Sequence, residues 1–512
     1  MDAPHPPLEG ADRLFMTLAL AAASFMVVLD TSIANVSIPG ISGELGVSPS
    51  QGTWVITSFA VSNAIAVPLT GWLARRIGEV RLFVLSMLLF SLASLGCGLS
   101  TSMPMLIAFR VLQGAVAGPM MPLSQTLLLG IYPMDRRAMA LAIWSLTTLV
   151  APVAGPILGG WITDNMRWPW IFYINVPIGV LCMWLVWVRM RLRESRIVRV
   201  PIDRIGLALL VIGIGSLQVM LDKAGELDWF NSKTIVALAV IAALAISLLV
   251  AWELTEEHPI IDLHLFQERN FTSAAIAVSA AYVVFFGTVV LLPLWLQTEM
   301  GYTPTWAGLV MAPTGILAIV VTPFIGKNMH RLDPRLLATV GFVIFAFCAF
   351  LRAKFEPGAD FYTLAMPQLI QGVAVAMFFV PLTTIALSSL PAHQIASASG
   401  LFNFLRILAG GAGTSVATTV WERREALHHA QITENVTAYS PAATNYLSQL
   451  HGLGADPGQS LSIIDRLIST QAYSMATADM SYIAAWIFIG LIPLLWLARP
   501  PFGIKGAPIA AD

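Results

Sequence analysis

RVLQGAVAGPMMPLSQT, residues 110–126, and QLIQGVAVAMFFVPLTT, residues 368–384, are degenerate copies of one another. Gln113-Gly114 answers to Gln371-Gly372, and Pro122-Leu123 to Pro381-Leu382. Working outward, Trp54 matches Trp306. GWLARRIGEVR (71–81) matches GKNMHRLDPR (326–335) at its glycine and its final arginine. Paired positions stay between 252 and 259 residues apart. A fixed offset of this kind marks an internal duplication.

Both copies lie in apolar sequence. The hydrophobic fraction is 57% and the charged fraction only 11%, with a mean hydropathy of +0.76. Soluble proteins are about one-quarter charged, so too little charge is present here to coat a water-facing surface. Apolar runs of about 20 residues, enough to cross a bilayer as helices, recur from end to end. They fall at roughly 14–38, 51–73, 82–100, 104–129, 138–162, 168–189, 205–221, 234–254, 271–297, 306–326, 336–351, 361–389, 397–421 and 479–497. The fold class is therefore an all-α polytopic membrane protein with fourteen spans. MDAPHPPLEGADR is a poor signal-peptide start, so the first run reads as a retained span.

Lys and Arg in short loops set the orientation. With the N-terminus inside, the inside loops hold Arg75, Arg76 and Arg81; Arg136 and Arg137; Arg189, Arg191, Arg193, Arg196, Arg199 and Arg204; Arg269; and Lys327, Arg331 and Arg335. The outside short loops hold only Arg167, Lys223, Lys233, Arg352 and Lys354. Both termini are then cytoplasmic, and Trp168, Trp170, Trp229 and Trp295 fall near outer ends as interfacial aromatics would.

The repeat divides the chain into an N-terminal six-helix half, 1–200, an inserted pair of spans, 201–265, and a C-terminal half, 266–512. Spans 1–6 recur as spans 9–14 in the same orientation. Parallel halves suit a transporter that rocks one half against the other around a central site. The long loop 422–478 faces outside. Its ends have helical periodicity and its middle, with Pro441, Gly452, Gly454, Pro457 and Gly458, reads as loop. An exposed linker and a docking element for an external partner both remain open.

Two charges sit inside apolar runs. Asp30 lies nine residues before Pro39, roughly 13 Å below the outer end of span 1, and Arg110 lies roughly 9 Å deep in span 4. A charge in hydrocarbon is costly and is expected to be paired or functional. Burial favours a neutral carboxyl and a nearby cation a charged one. A site that can be either is what proton coupling requires; a static ion pair is the other reading. The duplication does not preserve the pair, since Asp30 aligns near Thr288 and Arg110 near Gln368.

In span 5, Gly155-Pro156 and Gly159-Gly160 give a smooth face suited to close helix contact, either an immobile crossing or one that slides or seals. Gly410, Gly411 and Gly413 form a looser version in span 13. Asn35, Gln125, Gln297, Gln368, Gln371, Asn403 and Arg406 are sparse polar groups that could line a cavity among Phe, Trp and Met. Such walls favour promiscuous binding.

Other classes lack their signals. The net charge of −1 and the absence of a basic stripe argue against a nucleic-acid partner. No Walker A, HExxH or nucleophile elbow occurs, so no enzyme, catalytic residue, metal or cofactor is expected. Cys97, Cys182 and Cys348 read as buried small hydrophobes, and His428-His429 as surface residues.

Taken together, the motifs resemble the major facilitator superfamily in its fourteen-span drug:proton antiporter branch. LDTSIANVSIP (29–39) looks like that branch's span-1 signature, and GWLARRIGEVR (71–81) like the span 2–3 loop motif. LIAFRVLQG (106–114) looks like the span-4 motif and APVAGPILGG (151–160) like the span-5 antiporter motif. The likeness runs from about residue 8 to 503. Within the branch it is closest to inner-membrane subunits of Gram-negative multidrug efflux systems. One departure is that the loop motif's usual acidic position is Arg75, so the family's cytoplasmic latch is not carried over.

The resemblance implies export of hydrophobic or amphipathic toxic compounds in exchange for protons. Arg110 and Asp30 would relay protons. Gly155, Pro156, Gly159 and Gly160, with Gly71, Arg75, Arg76 and Gly78 of the loop motif, would serve gating and the interface between halves. It further implies a bacterial inner-membrane location in the lipid bilayer, a periplasmic adaptor (membrane fusion) protein and an outer-membrane channel. A proton-coupled or facilitative transporter of a defined metabolite on the same scaffold is the alternative.

Overall fold

A computed structural model describes residues 8–133, 137–195, 197–198, 201–257, 259–328, 332–391, 394–437 and 439–502. Of the basic residues used to set orientation, Arg136, Arg196, Arg199 and Arg331, with the side chains of Arg137 and Lys327, lie outside the described part. Among the described residues there are helices and no strand.

Each of the fourteen expected spans corresponds to one helix or one broken helix. The N-terminal half opens with α1 (Gly10–Leu45), which ends where Gly46 takes φ +68° and its N–H returns to the Ser42 carbonyl. Span 2 is α2 (Pro49–Gly52), α3 (Trp54–Ala66) and α4 (Thr70–Ile77). It bends by 61° between Ala66 and Thr70, where Pro68 lacks an N–H for the helical ladder. α5 (Glu79–Gly98) follows. Span 4 divides at Gly118-Pro119 into α6 (Met103–Ala117) and α7 (Met120–Ile131). α8 (Arg137–Asn165) is span 5, and α9 (Trp170–Tyr173) with α10 (Asn175–Met190) make span 6.

The inserted pair is α11 (Arg204–Lys223) and α12 (Lys233–Glu253). The second half comprises α13 (Arg269–Thr298), α14 (Pro304–Met311) with α15 (Pro313–Asn328), α16 (Pro334–Arg352), α17 (Phe361–Leu387), α18 (Ile395–Asn435), α19 (Pro441–Gly452) and α20 (Pro457–Leu495). By length and apolarity eleven spans among the described residues could cross a membrane, or twelve with the bent span 2. The long helices α8 and α18 stand at the places of the other two expected spans.

The packing repeats with the sequence. The most extensive contacts are α1 with α8 and α13 with α18, which are spans 1–5 and 9–13. α3–α6 recurs as α15–α17, α5–α10 as α16–α20, and α1–α10 as α13–α20. Between the halves, α8 meets α14 and α3 meets α18, again equivalent pairs. The seam is concentrated at the end that the arginine pattern places outside. There Ala34, Val36, Ile38 and Ile56 share a buried cluster with Leu291, Trp295 and Val310. At the opposite end, α4 packs on α5 of its own half.

Outward faces are apolar: Leu85, Leu88 and Leu92 on α5, and Val240, Leu244 and Leu248 on α12, are exposed. In water this would be an aggregation hazard; against lipid it is the expected surface.

Four expectations change. Trp168 and Trp295 are buried, not interfacial. Trp295 stacks on Phe355 and donates from Nε1 to the Ser474 hydroxyl, so a partner inside the fold replaces the headgroup region. Arg352, expected in a short outer loop, ends α16 with its side chain buried, because the guanidinium folds back to Gln368. The loop 422–478 is largely helical. α18 runs for 41 residues, about 60 Å and twice the thickness of a bilayer's hydrocarbon, and α20 packs along it. Trp421 donates from Nε1 to Thr477 at 2.9 Å, and Asp479 accepts from Arg424 and His428. His428 is buried in this ion pair rather than lying free on the surface. Tertiary pairing of the two extensions stabilises helices whose local composition alone reads as linker.

Candidate functional site

Asp30 and Arg110 meet. Span 1 brings the carboxylate and span 4 the guanidinium to the centre of the N-terminal half, where both are wholly buried. Arg110 Nη1 donates to Asp30 Oδ2. Asp30 Oδ1 accepts from Gln113 Nε2 at 3.0 Å and from Asn175 Nδ2 at 2.8 Å. Gln113 lies one turn after Arg110 on the same helical face, and its Oε1 accepts from Arg110 Nη1 at 2.7 Å. Arg110 Nε reaches the Val55 carbonyl at 2.8 Å, and its guanidinium lies 4.3 Å from the Phe59 ring centroid. Asn175 also donates to Ser94, which donates to the Phe172 carbonyl.

The cluster thus joins spans 1, 2, 3, 4 and 6 of one half. Both oxygens of the carboxylate are engaged by donors. Desolvation of each charge is offset by the other and by neutral amides, which is the condition for keeping an ion pair in an apolar interior. Chemically, the arrangement fixes a carboxylate against a guanidinium in an apolar interior. Gln113 and Asn175 were not singled out from sequence as site residues. A polar residue in the apolar run YINVPIGV was the available signal for Asn175.

The span-5 glycines face two ways. A β-carbon on Gly155 would stand 2.4 Å from Ser32 Cβ, and one on Gly159 2.7 Å from the Ile33 carbonyl oxygen, both within the same half. One on Gly160 would stand 2.3 Å from the Pro304 carbonyl oxygen, and Pro156 lies against Gly308, both across the seam. Span 13 repeats this: Gly413 abuts Val283 of its own half, and Gly411 faces Ala60 and Val61 of the other.

In the loop motif, Gly78 takes φ +98°, and the Glu194 carboxylate occupies the space beside it. That carboxylate accepts from the Val80 and Arg81 amides at 3.0 and 2.9 Å, capping α5. Gly71 has open space around it. Arg75 donates to the Gly71 carbonyl and Arg76 lies over Trp72.

Among the polar cavity candidates, Gln297, Gln368, Asn403 and Arg406 have separate partners. Gln297 donates to the Val36 carbonyl across the seam at 2.8 Å. Gln368 accepts from Arg352 and from Thr314. Gln371 and Asn35 are buried, and Gln125 is half-buried. Asn403 donates to the Ser399 carbonyl. Arg406 donates to the Tyr282 hydroxyl at 3.2 Å and lies 4.7 Å from the Phe379 ring centroid, in the aromatic interior of the C-terminal half.

Known proteins match the chain over nearly its whole length. The family described as Major Facilitator Superfamily matches residues 20–414. The chain is 55% identical to the multidrug export protein EmrB of Escherichia coli (strain K12), over 98% of each chain. It is 50% identical to the fatty acid resistance protein FarB of Neisseria gonorrhoeae, over 98% of this chain and 99% of that one. Among solved structures, a bacterial homolog of the human lysosomal transporter Spinster superposes with a TM-score of 0.63 at 16% identity. The match covers 96% of this chain and 100% of that one, and speaks for the fold alone.

Proposed function

The chain belongs to the Major Facilitator Superfamily, and we propose that it is a proton-coupled multidrug exporter. It is a multi-pass membrane transporter, not an enzyme. The observation that carries the coupling is the sealed Asp30–Arg110 pair, built from one half only and absent from the equivalent place in the other. Asp30 is the proton-carrying group, Arg110 is its paired cation, and Gln113 and Asn175 orient it. Identity of about half with EmrB and FarB supports hydrophobic and amphipathic toxic compounds as the cargo.

The two six-helix halves, 1–200 and 266–512, move against each other, with 201–265 riding on them. Contacts across Gly160–Pro304 and Pro156–Gly308 close the outer end. Both termini are cytoplasmic and the spans cross the bacterial inner membrane. Substrate binds between the halves, with Arg406, Asn403 and the aromatic wall around Tyr282 on one side. Asn35, Gln125, Gln297, Gln368 and Gln371 add polar groups. The helical extension of α18 and α20 supports a periplasmic adaptor, which continues to an outer-membrane channel.

Proteoliposomes with an imposed pH gradient test the reading, following a fluorescent amphiphile and lumenal pH together. Movement of both that is lost in Asp30→Asn supports it. Gradient-independent movement at the wild-type rate in that variant removes Asp30 from coupling. Deleting 430–470 tests the partner: adaptor copurification is lost, whereas a retained complex excludes this segment as the contact.

A further inference from the structure

The inserted pair holds a carboxylate with no part in the coupling cluster. Asp222 lies near the end of α11, half-buried, where α11 packs against both α3 and α18. Its Oδ2 accepts from the Thr57 hydroxyl of α3 at 3.0 Å. Its Oδ1 accepts from the Ser415 hydroxyl of α18 and, at 2.8 Å, from Gln218 Nε2 one turn back on its own helix. Gln218 is buried and also donates to Ser415 at 2.6 Å. Thr57 belongs to the N-terminal half and Ser415 to the C-terminal half.

We propose that Asp222 is a positioning residue of the transport cycle: from the inserted pair, it pins span 2 of one half to span 13 of the other and so holds the outer end shut. The inference rests on the rocking of two halves proposed above. Hydrogen bonds to a charged acceptor are the stronger kind, and two of these donors sit on bodies that must separate when the outer end opens. Asp222 cannot follow both. Nor is its environment that of a static ion pair. Lys223, next in sequence, is turned over the Trp54 ring at 5.6 Å. The adjoining cleft carries Glu226 and, from α18, Glu422. α3 faces Asp222 with Thr57 and Trp54. The carboxylate is held by hydroxyls and an amide, which release it more readily than an arginine would. This also assigns the inserted pair a place in the cycle: α12 packs mainly on α11, and α11 reaches both halves at the seam.

The test is a distance measurement across the outer end in the full-length protein. Spin labels at Gly43→Cys and Glu356→Cys report one half each; both positions are exposed. Asp222→Ala raises the ratio of outer-open to outer-closed distances roughly tenfold. Asp222→Asn, which keeps size and one acceptor, falls between. Thr57→Val and Ser415→Ala each remove one donor, leave the carboxylate intact, and shift the ratio in the same direction, so the proposal stays testable if Asp222→Ala fails to fold. Wild-type distances in Asp222→Ala, or in both donor variants, overturn it. The readout needs neither drug nor proton gradient. A chain that exports no amphiphile but opens on loss of Asp222 loses the exporter reading and keeps the latch.

Discussion

Gly308 sits directly on Pro156: a β-carbon on the glycine would stand 2.1 Å from the proline's carbonyl oxygen. The two residues belong to spans 10 and 5, in different halves, so a backbone-to-backbone contact seals the outer end. Small residues allow this approach and nothing larger does.

Gly308→Ala and Gly160→Ala should therefore block full closure of the outer end, with an overpacking cost of about 1–3 kcal/mol each. Proton-coupled efflux in proteoliposomes should fall by most of its rate at unchanged membrane expression. Gly490→Ala on α20, where no atom lies within 4 Å of the added carbon, is the control and should transport normally.

Asp30→Asn leaves Arg110 charged, buried and without its carboxylate. Breaking a buried pair in this way costs about 3–5 kcal/mol, read as a lower unfolding temperature in detergent. Asp30→Asn combined with Arg110→Gln removes both charges and should be less destabilised than the sum of the single changes. Additive losses would mean that the two groups are not energetically coupled. Coupled transport is expected to be absent from all three variants.

Asn175→Ala removes one of two neutral donors to Asp30 Oδ1 while Gln113 remains. We expect a loss of about 1–2 kcal/mol with transport retained but its pH dependence displaced. An unchanged pH profile would make Asn175 a packing residue only.

Gly78→Ala and Glu194→Ala probe the cytoplasmic loop motif. Alanine at φ +98° is strained and meets the Glu194 carboxylate at 2.3 Å. Loss of Glu194 uncaps α5 at about 1–2 kcal/mol. Both should lower thermal stability, Gly78→Ala more. The double change should fall short of the sum, because the clash disappears with the carboxylate.

Asp479→Ala should loosen the helical extension outside the membrane, since Arg424 and His428 both close on that carboxylate. Hydrogen exchange over 424–435 should quicken while the spans stay protected. Uniform protection throughout would show that the remaining contacts, Trp421 with Tyr473 and Thr477 and His429 with Asp465, hold the two helices together without it.

The membrane class, the duplication and the Asp30–Arg110 pairing were legible in the residues because each follows from local pattern. Apolar run length reports a bilayer crossing, a constant offset reports a repeat, and two charges at similar depth in hydrocarbon have few other partners. Asn175 and Asp222 were not legible as site residues. Each is an ordinary polar residue whose meaning depends on which helix lies opposite. In 422–478 the helical ends showed in the periodicity, but α19 in the middle did not, since Pro441 and Gly452 read there as loop; what stabilises the extensions is α18 packing against α20.

By itself the sequence determined the apolar spans and the pair of charges that had to find each other, because the cost of charge and exposed backbone in hydrocarbon leaves few solutions. Only the tertiary structure decided which glycines face their own half and which the other, that Glu194 fills the space beside Gly78, and that Asp222 spans the seam. Those depend on the rotation and register of packed helices, which close-packing of particular side chains sets and no single helix's periodicity contains.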